Sequence, residues 1–431
     1  MMITTLTKKA CTPSQRRLYS ALLFGLFLLA LSSTRSAAEV TAPTEGSHLS
    51  SQNNTLSTLA SYNSTLQSYE AEGPYHQNAS EVLYSLGLEL QRGGQHSKAL
   101  KSLRQAMHIN RVNSGLNSLS QAPMLRGIIN SQKNLMRFEP ITASYHQLLR
   151  MHTASYGKHD PRLAPLLNEL GLWHLDAYQF DKSSKRVDHL TAANSLVMSA
   201  LKLSENQAKI KPREQIKLLR NAALINFYLS RHQGDEWTAS TDSHYSLSAD
   251  GFGTLNPQRT GILAGASFRR GRICHEQIIA LTTANPDASL QEKIQAQVEL
   301  ADWYLLFNHK ASAMALYQQV LTKIAASDQA GVLYTTLFAT PRLLPAVRME
   351  SQPGKNGALL ISAEVDISAR GWGSHIEKVT QIQASEQDQK TDKNLHYLLV
   401  GIIKDSRFRP QFVDNKAISV SDVTVKIPLI H

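Results

Sequence analysis

The chain has 431 residues, 42% hydrophobic and 18% charged, a composition that supports a large buried core and excludes wholly disordered or collagen-like chains. Its formal charge of +11 contains no Lys/Arg-rich run with interleaved aromatics, so nucleic acid is not an expected partner. With only Cys11 and Cys274, no disulfide framework is expected.

The first 38 residues have the order of a secretory signal. Lys8, Lys9, Arg16 and Arg17 form a basic start, Leu18 to Leu31 is an uncharged apolar run of 14 residues, and Ser36-Ala37-Ala38 offers small residues for cleavage. As a helix that run spans about 21 Å against a hydrocarbon core of ~30 Å, so cleavage after Ala38 is preferred to retention as an anchor. Cleavage removes five basic residues and Cys11, lowers the formal charge to +6 and leaves Cys274 as the lone thiol. The expected location is the periplasm, with an anchored inner-membrane form as the alternative.

Residues 39–79 are rich in Ser, Thr, Asn and Gly and read as a flexible polar lead-in. Leu56, Leu59, Tyr62, Leu66 and Tyr69 recur at near-helical spacing and mark one short amphipathic helix within it.

From Ser80 to Asn113, Leu83, Leu86, Gly87 and Leu90 share one helix face, Gly93-Gly94 makes a turn, and Ala99, Leu103 and Ala106 share the face of a second helix. This is the pattern of a tetratricopeptide (TPR) repeat, in which small residues let two antiparallel helices approach and larger ones fill the gap to the next pair. A step of 42 residues finds Leu125, Ile128, Ile129, Ile141, Tyr145 and Leu148, and a second step finds Leu167, Leu170, Gly171, Ser183, Val187 and Leu190. The segment Tyr156-Gly157-Lys158-His159-Asp160-Pro161, followed by Leu163 and Leu167, resembles the linker of the kinesin-light-chain type of repeat, whose period is also 42. Leu300, Ala301, Tyr304, Ala313, Tyr317 and Val320 mark a further repeat beginning near Ile294. Two degenerate repeats, around Ile216 to Leu229 and Ile262 to Leu281, are expected to fill the interval, with residues 231–257 as a polar inserted loop. The repeat region is placed at residues 80–330.

Beyond it the period changes to two. Leu359, Ile361, Ala363, Val365 and Ile367 alternate with Leu360, Ser362, Glu364 and Asp366, which predicts a half-buried strand. Ile376 to Gln383 is a second strand after the turn at Gly371-Trp372-Gly373, and Leu395, Leu398, Leu399, Ile402 and Ile403 mark an amphipathic helix. Ile418 to Ile427 is a closing strand whose alternation slips near Ser421-Asp422, as at a bulge. The expected fold class is mainly α: a TPR-like α-solenoid followed by a small α+β domain of order ββαβ.

On these residues, 341–431 resemble the TonB C-terminal domain. Pro345 stands in the place of its lead-in, Gly357 and Val365 fall along its first strand, Arg407-Phe408-Arg409-Pro410 is similar to its Trp/Phe-Arg-x-Pro signature, and Ile418 to Pro428 matches its closing strand. Two departures accompany the likeness. Ala369-Arg370-Gly371-Trp372-Gly373 replaces the family's Asp-Gly turn, and no Glu/Lys-Pro-rich spacer is present. The resemblance implies that an extended peptide adds a strand beside the last strand, where Val420, Val423, Thr424 and Val425 line the candidate edge.

The sequence contains no P-loop, dinucleotide fingerprint or G-x-S-x-G elbow. His275-Glu276 opens like a zincin helix, but Ile279 stands where the second His belongs, and His146, His152 and His159 do not share one helix face. No catalytic, cofactor or metal residues are therefore assigned. The repeat array is expected to offer a concave groove, with Glu81, Tyr84, Asn168 and Trp173 as candidate groove residues.

These features describe a non-enzymatic envelope scaffold that binds proteins or peptides, with transient membrane association a possible addition. One alternative is a divergent TonB-type energy transducer with an uncleaved N-terminal anchor. A remote alternative is an enzyme that uses Asp235, Glu236, Asp242 and His244 of the insert.

Overall fold

The structure is a computed structural model and describes residues 46–135, 137, 139–180, 186–205, 211–232, 247–248, 251–252, 257–345, 359–382, 403 and 406–429. Helix α1 (Gly46–Glu72) precedes five helical hairpins among the described residues. These are α2 (Gln77–Arg92) with α3 (His96–Ser114), α4 (Ala122–Asn134) with α5 (Glu139–Tyr156), and α6 (Ala164–Phe180) with α7 (Arg186–Glu205). The last two are α8 (Pro212–Arg231) with α9 (Pro257–Ala284) and α10 (Leu290–Leu306) with α11 (Lys310–Ala325), after which α12 (Ala330–Leu337) closes the stack. Each hairpin packs on the next, so one apolar core runs through the array. The fold class is the expected one, mainly α with a small sheet region at the C-terminal end.

The repeat template is realised as packing. Every described template residue of the first three repeats is buried, and in the last repeat only Tyr304 is half-buried; Ser183 lies outside the described residues. The small positions do the work the pattern requires: a Cβ on Gly87 would lie 2.6 Å from Leu103 Cγ, and one on Gly171 would lie 2.7 Å from Val197 Cγ2. Gly87→Ala is therefore expected to lower stability by about 1–2 kcal/mol, because overpacking outweighs the gain in helix propensity. Urea unfolding checks this, and an unchanged midpoint would mean that Leu103 moves aside freely.

The 42-residue register also reappears in the linkers. Gly115 and Gly157 both leave a helix at positive φ, +88° and +87°. Ser118 and Asp160 then cap short 3-10 turns, each accepting the backbone N–H two residues on.

Three expectations change. The lead-in is helical from Gly46 to Glu72, because half-buried Tyr62, Leu66 and Tyr69 have the first hairpin to pack against. Tertiary contact thus overrides a composition that favours caps and turns. The regions around Ile216–Leu229 and Ile262–Leu281 are not two repeats but the two arms of one hairpin, α8 and α9. Long arms and the insert fill the interval that the period had assigned to a further repeat. Within the insert, β1 (Leu247–Ser248) pairs with β2 (Gly251–Phe252), while Asp235, Glu236, Asp242 and His244 lie outside the described residues.

At the C-terminal end, β4 (Leu359–Ile367) is the centre of a three-stranded antiparallel sheet between β5 (Gly373–Ile382) and β9 (Val420–Leu429). The slip near Ser421-Asp422 is a bulge: Val365 pairs with Val423, Ile367 pairs with Val420, and Asp422 takes φ +55°. Ala363, Val365, Ile367, Val379 and Val425 form the buried face with Phe408 and Ile403. The expected helix over Leu395 to Ile402 lies outside the described residues, and Ile403 is buried.

Four short strands are additions to the expected topology. β3 (Arg342–Leu344) pairs with β6 (Arg407–Arg409), and β7 (Gln411–Val413) pairs with β8 (Lys416–Ile418). Asp414 and Asn415, both at positive φ, form the two-residue turn of the second pair.

These strands join the sheet region to the solenoid. Phe412 packs edge-on against Tyr317 and Phe338, its N–H donates to Phe338 O at 3.2 Å, and the Tyr334 hydroxyl donates to Phe412 O. At the same seam the Arg409 guanidinium is buried against Asp302 of α10. Arg409 Nε donates to Asp302 Oδ1 at 2.8 Å, Nη2 pairs with Oδ2, and Nη1 donates to Leu337 O at 2.9 Å. The Tyr317 hydroxyl donates to the same Oδ1 at 2.6 Å. Burial alone would lower the pKa of Arg409, but Asp302 raises it above its ordinary value, and the guanidinium stays charged.

Candidate partner-binding surfaces

Two surfaces arise from this architecture. The first is a groove of about 450 Å³ between the first two hairpins, lined by Tyr84, Leu88 and Gln91 of α2, Pro123, Arg126 and Asn130 of α4, and His152 of α5. Glu81 is exposed one turn before half-buried Tyr84 on the same helix. Gln91 closes the floor by donating to Gly127 O at 2.6 Å, which ties α2 to α4. Arg126 pairs with Glu169 of α6 at 2.6 Å, and Glu169 also accepts from the Tyr145 hydroxyl at 3.1 Å. Burial lowers the pKa of His152, and the Arg126 charge adds to that effect. The lining thus combines aromatic and aliphatic surface with a cation, two amides and a neutral imidazole. That is the mixture an extended peptide uses for side-chain contact and main-chain hydrogen bonds.

Of the four sequence-derived groove residues, only Glu81 and Tyr84 have accessible side chains. Asn168 and Trp173 are corrected: both are buried in the stack. Asn168 Oδ1 accepts from Asn221 Nδ2 at 2.8 Å, a buried polar staple between α6 and α8. Trp173 donates its indole N–H to Thr142 Oγ1 at 2.9 Å and stacks on Tyr145 at 6.3 Å between centroids. The repeat pattern places both on the first helix of a hairpin, the helix expected to line the groove. In the fold their polar atoms are satisfied by neighbouring helices, as buried donors and acceptors require.

The second surface is the outer edge of β9. The strand pairs with β4 on one side, and among the described residues no strand pairs with the other. Val425 is buried and Val423 is half-buried, both against the sheet's own core. Val420 is half-buried and Thr424 is exposed. An added strand would therefore bond to the main chain of β9 and meet the Thr424 face with its side chains.

Among the solenoid histidines, His174 and His275 are buried and His146 and His189 are half-buried. His174 Nδ1 lies 2.9 Å from His189 Nδ1, and the His146 ring is 6.2 Å from that of His174. His275 is buried beside Trp303, while exposed Glu276 pairs with Arg272 at 3.1 Å. His159 is exposed. Among the described residues no group of three or more His, Cys, Asp or Glu is arranged to hold a metal ion. Cys274 is buried, and burial pushes its thiol up to about 11, which leaves it protonated at neutral pH.

The fold thus defines the chain as an α-solenoid of TPR-like hairpins with an attached antiparallel sheet. No protein-family model and no curated protein matches the chain. Among solved structures, it is similar to a kinesin light chain of nearly identical TPR-like repeats from Podosopora anserina, with 13% identity and a TM-score of 0.40 over 60% of this chain and 99% of that one. A substituted form of that protein gives 13% identity and a TM-score of 0.39 over 56% and 93% of the two chains. BtubC from P. vanneervenii gives 15% and 0.35 over 56% and 79%. At this level of likeness the fold class rests on the hairpins themselves.

Proposed function

We propose that the chain is a non-enzymatic protein-interaction scaffold of the bacterial cell envelope. It holds one peptide in the groove beside Tyr84 and accepts a strand from another partner at β9. The observation that carries this reading is the outer edge of β9, which no strand pairs among the described residues, on a sheet fastened to the solenoid through Asp302 and Arg409. A fastened sheet keeps the two surfaces in a fixed relation, which is what a scaffold requires. The resemblance of residues 341–431 to the TonB C-terminal domain supports strand addition as the mode, and the secretory pattern of the first 38 residues supports the periplasm.

Proline substitution tests the edge. Successive N–H groups of a strand point to opposite edges, so of Val423→Pro and Thr424→Pro one removes an outward donor and the other damages the β4 ladder. A photo-crosslinking residue at Lys426 reports capture in cells, and thermal unfolding reports the fold. The expected result is that the variant with an unchanged melting midpoint loses capture at least tenfold. Undiminished capture in that variant removes strand addition.

A further inference from the structure

We infer that the outer face of α3 is a contact surface for an anionic lipid bilayer. Lys98, Lys101, Arg104, Gln105, His108 and Val112 are all exposed, and at 100° per residue they fall within an arc of about 120°. The opposite face, with Ala99, Leu103 and Ala106, is fully buried in the first hairpin. The helix contains no Asp or Glu, and among the described residues Lys98, Lys101 and Arg104 have no carboxylate partner. Glu72 of α1 pairs with His76 at 3.0 Å. This row of cations is therefore not neutralised from its own helix.

The C-terminal end of the row carries a second feature. Val112, Leu116 and Tyr75 are 54%, 64% and 48% exposed, high values for large apolar side chains. Tyr75 is held at this end of α3: its ring lies edge-on to His108 at 5.7 Å, and Asn113 Nδ2 donates to Tyr75 O at 2.9 Å. A solvated cationic face has no use for apolar side chains at its tip, and an acidic polymer would leave Val112 and Leu116 in water. A bilayer interface takes both, with headgroup charge for Lys98, Lys101 and Arg104 and the acyl boundary for Val112, Leu116 and Tyr75. No α3 residue lines the groove, so a membrane-bound chain keeps the groove free for a peptide. The inference rests on this face alone and stands or falls independently of the scaffold reading.

Partition of the full chain onto phosphatidylglycerol/phosphatidylcholine vesicles, against phosphatidylcholine alone, at about 0.1 M salt tests it. Each cation near such a surface is worth about fivefold, so Lys98→Gln/Lys101→Gln/Arg104→Gln is expected to weaken binding to the anionic vesicles about 100-fold. Val112→Ser/Leu116→Ser is expected to weaken it about tenfold. The N-terminal basic and apolar residues contribute equally to the parent and both variants, and circular dichroism with urea unfolding verifies that all three are folded. Binding that the triple variant leaves unchanged overturns the proposal. So does binding that soluble polyglutamate competes away while the Val112/Leu116 variant binds vesicles like the parent, which would assign the face to acidic chains.

Discussion

Arg409→Met is expected to lower the stability of the chain by about 3–5 kcal/mol, because it leaves the Asp302 carboxylate buried without its counter-charge. Both side chains are nearly inaccessible, and the pair joins positions 107 residues apart. Asp302→Asn is expected to cost a similar amount, since the guanidinium would then face a neutral amide inside the protein. Tyr317→Phe removes one hydrogen bond to the same carboxylate and is expected to cost about 1–2 kcal/mol. The double variant Asp302→Leu/Arg409→Leu is expected to recover much of the loss, because apolar side chains replace two desolvated charges. Urea unfolding gives these differences. Limited proteolysis adds a spatial readout: cleavage beyond Leu337 should precede cleavage of the hairpins in the single variants. If Arg409→Met costs less than about 1 kcal/mol, the seam is open to water and the sheet is not fastened to the solenoid.

Acidification is expected to destabilise the solenoid between about pH 6.5 and pH 4. Burial lowers the pKa of His146, His174, His232 and His275, with Arg150 adding to the effect at His146, Arg186 at His232, and the neighbouring His189 and His146 at His174. Each is therefore neutral in the folded chain while an unfolded histidine titrates near 6.5. Between the two pKa values the unfolded state binds more protons, so stability is fully present above about pH 6.5 and is lost as pH falls.

His232 is held down to about 4, a difference on the order of 3 kcal/mol once both titrations are complete. The geometry has the same sense. His232 Nδ1 lies 3.0 Å from the Tyr178 hydroxyl, which accepts from Arg186 Nη2 at 2.9 Å, so the guanidinium charge sits close to the ring and opposes a second positive charge there. The 2.9 Å His174–His189 contact has room for one proton between the two Nδ1 atoms, so charging both rings would oppose two N–H groups. Urea midpoints at pH 7.5 and 4.5 measure the loss. His232→Gln is expected to flatten part of the profile, and an identical slope in that variant would exclude His232 as a contributor.

The repeat core was readable because its requirement is local and periodic. Small residues at Gly87 and Gly171 and large ones at Leu83, Leu86 and Leu90 recur at fixed steps, and a 42-residue register leaves little freedom in how the helices pair. The same logic misled at α8 and α9, where a period was counted across an insert whose length follows no repeat. It also misled at Asn168 and Trp173. A place on the first helix of a repeat does not say whether a side chain faces the groove or packs against the neighbouring helices, as Asn168 and Trp173 do on Asn221 and Thr142. The β9 edge was legible in outline, since alternation with a slip at Ser421-Asp422 is a bulged strand in any fold.

The seam had no signal of its own. Asp302 reads as one more polar residue in a repeat, and Arg409 as part of a signature after a helix. Nothing in spacing links them, because an ion pair depends on through-space distance and burial rather than on sequence separation. The α3 cations were visible as residues, yet their exposure and grouping with Tyr75 depended on how α1 meets the first hairpin. The sequence by itself determined the hairpin stack, the alternating strands and the class of protein, all set by short-range periodicity. Only the tertiary structure decided that solenoid and sheet share a buried charge, which polar residues are staples, and which cations face outward, because burial is a property of the assembled chain.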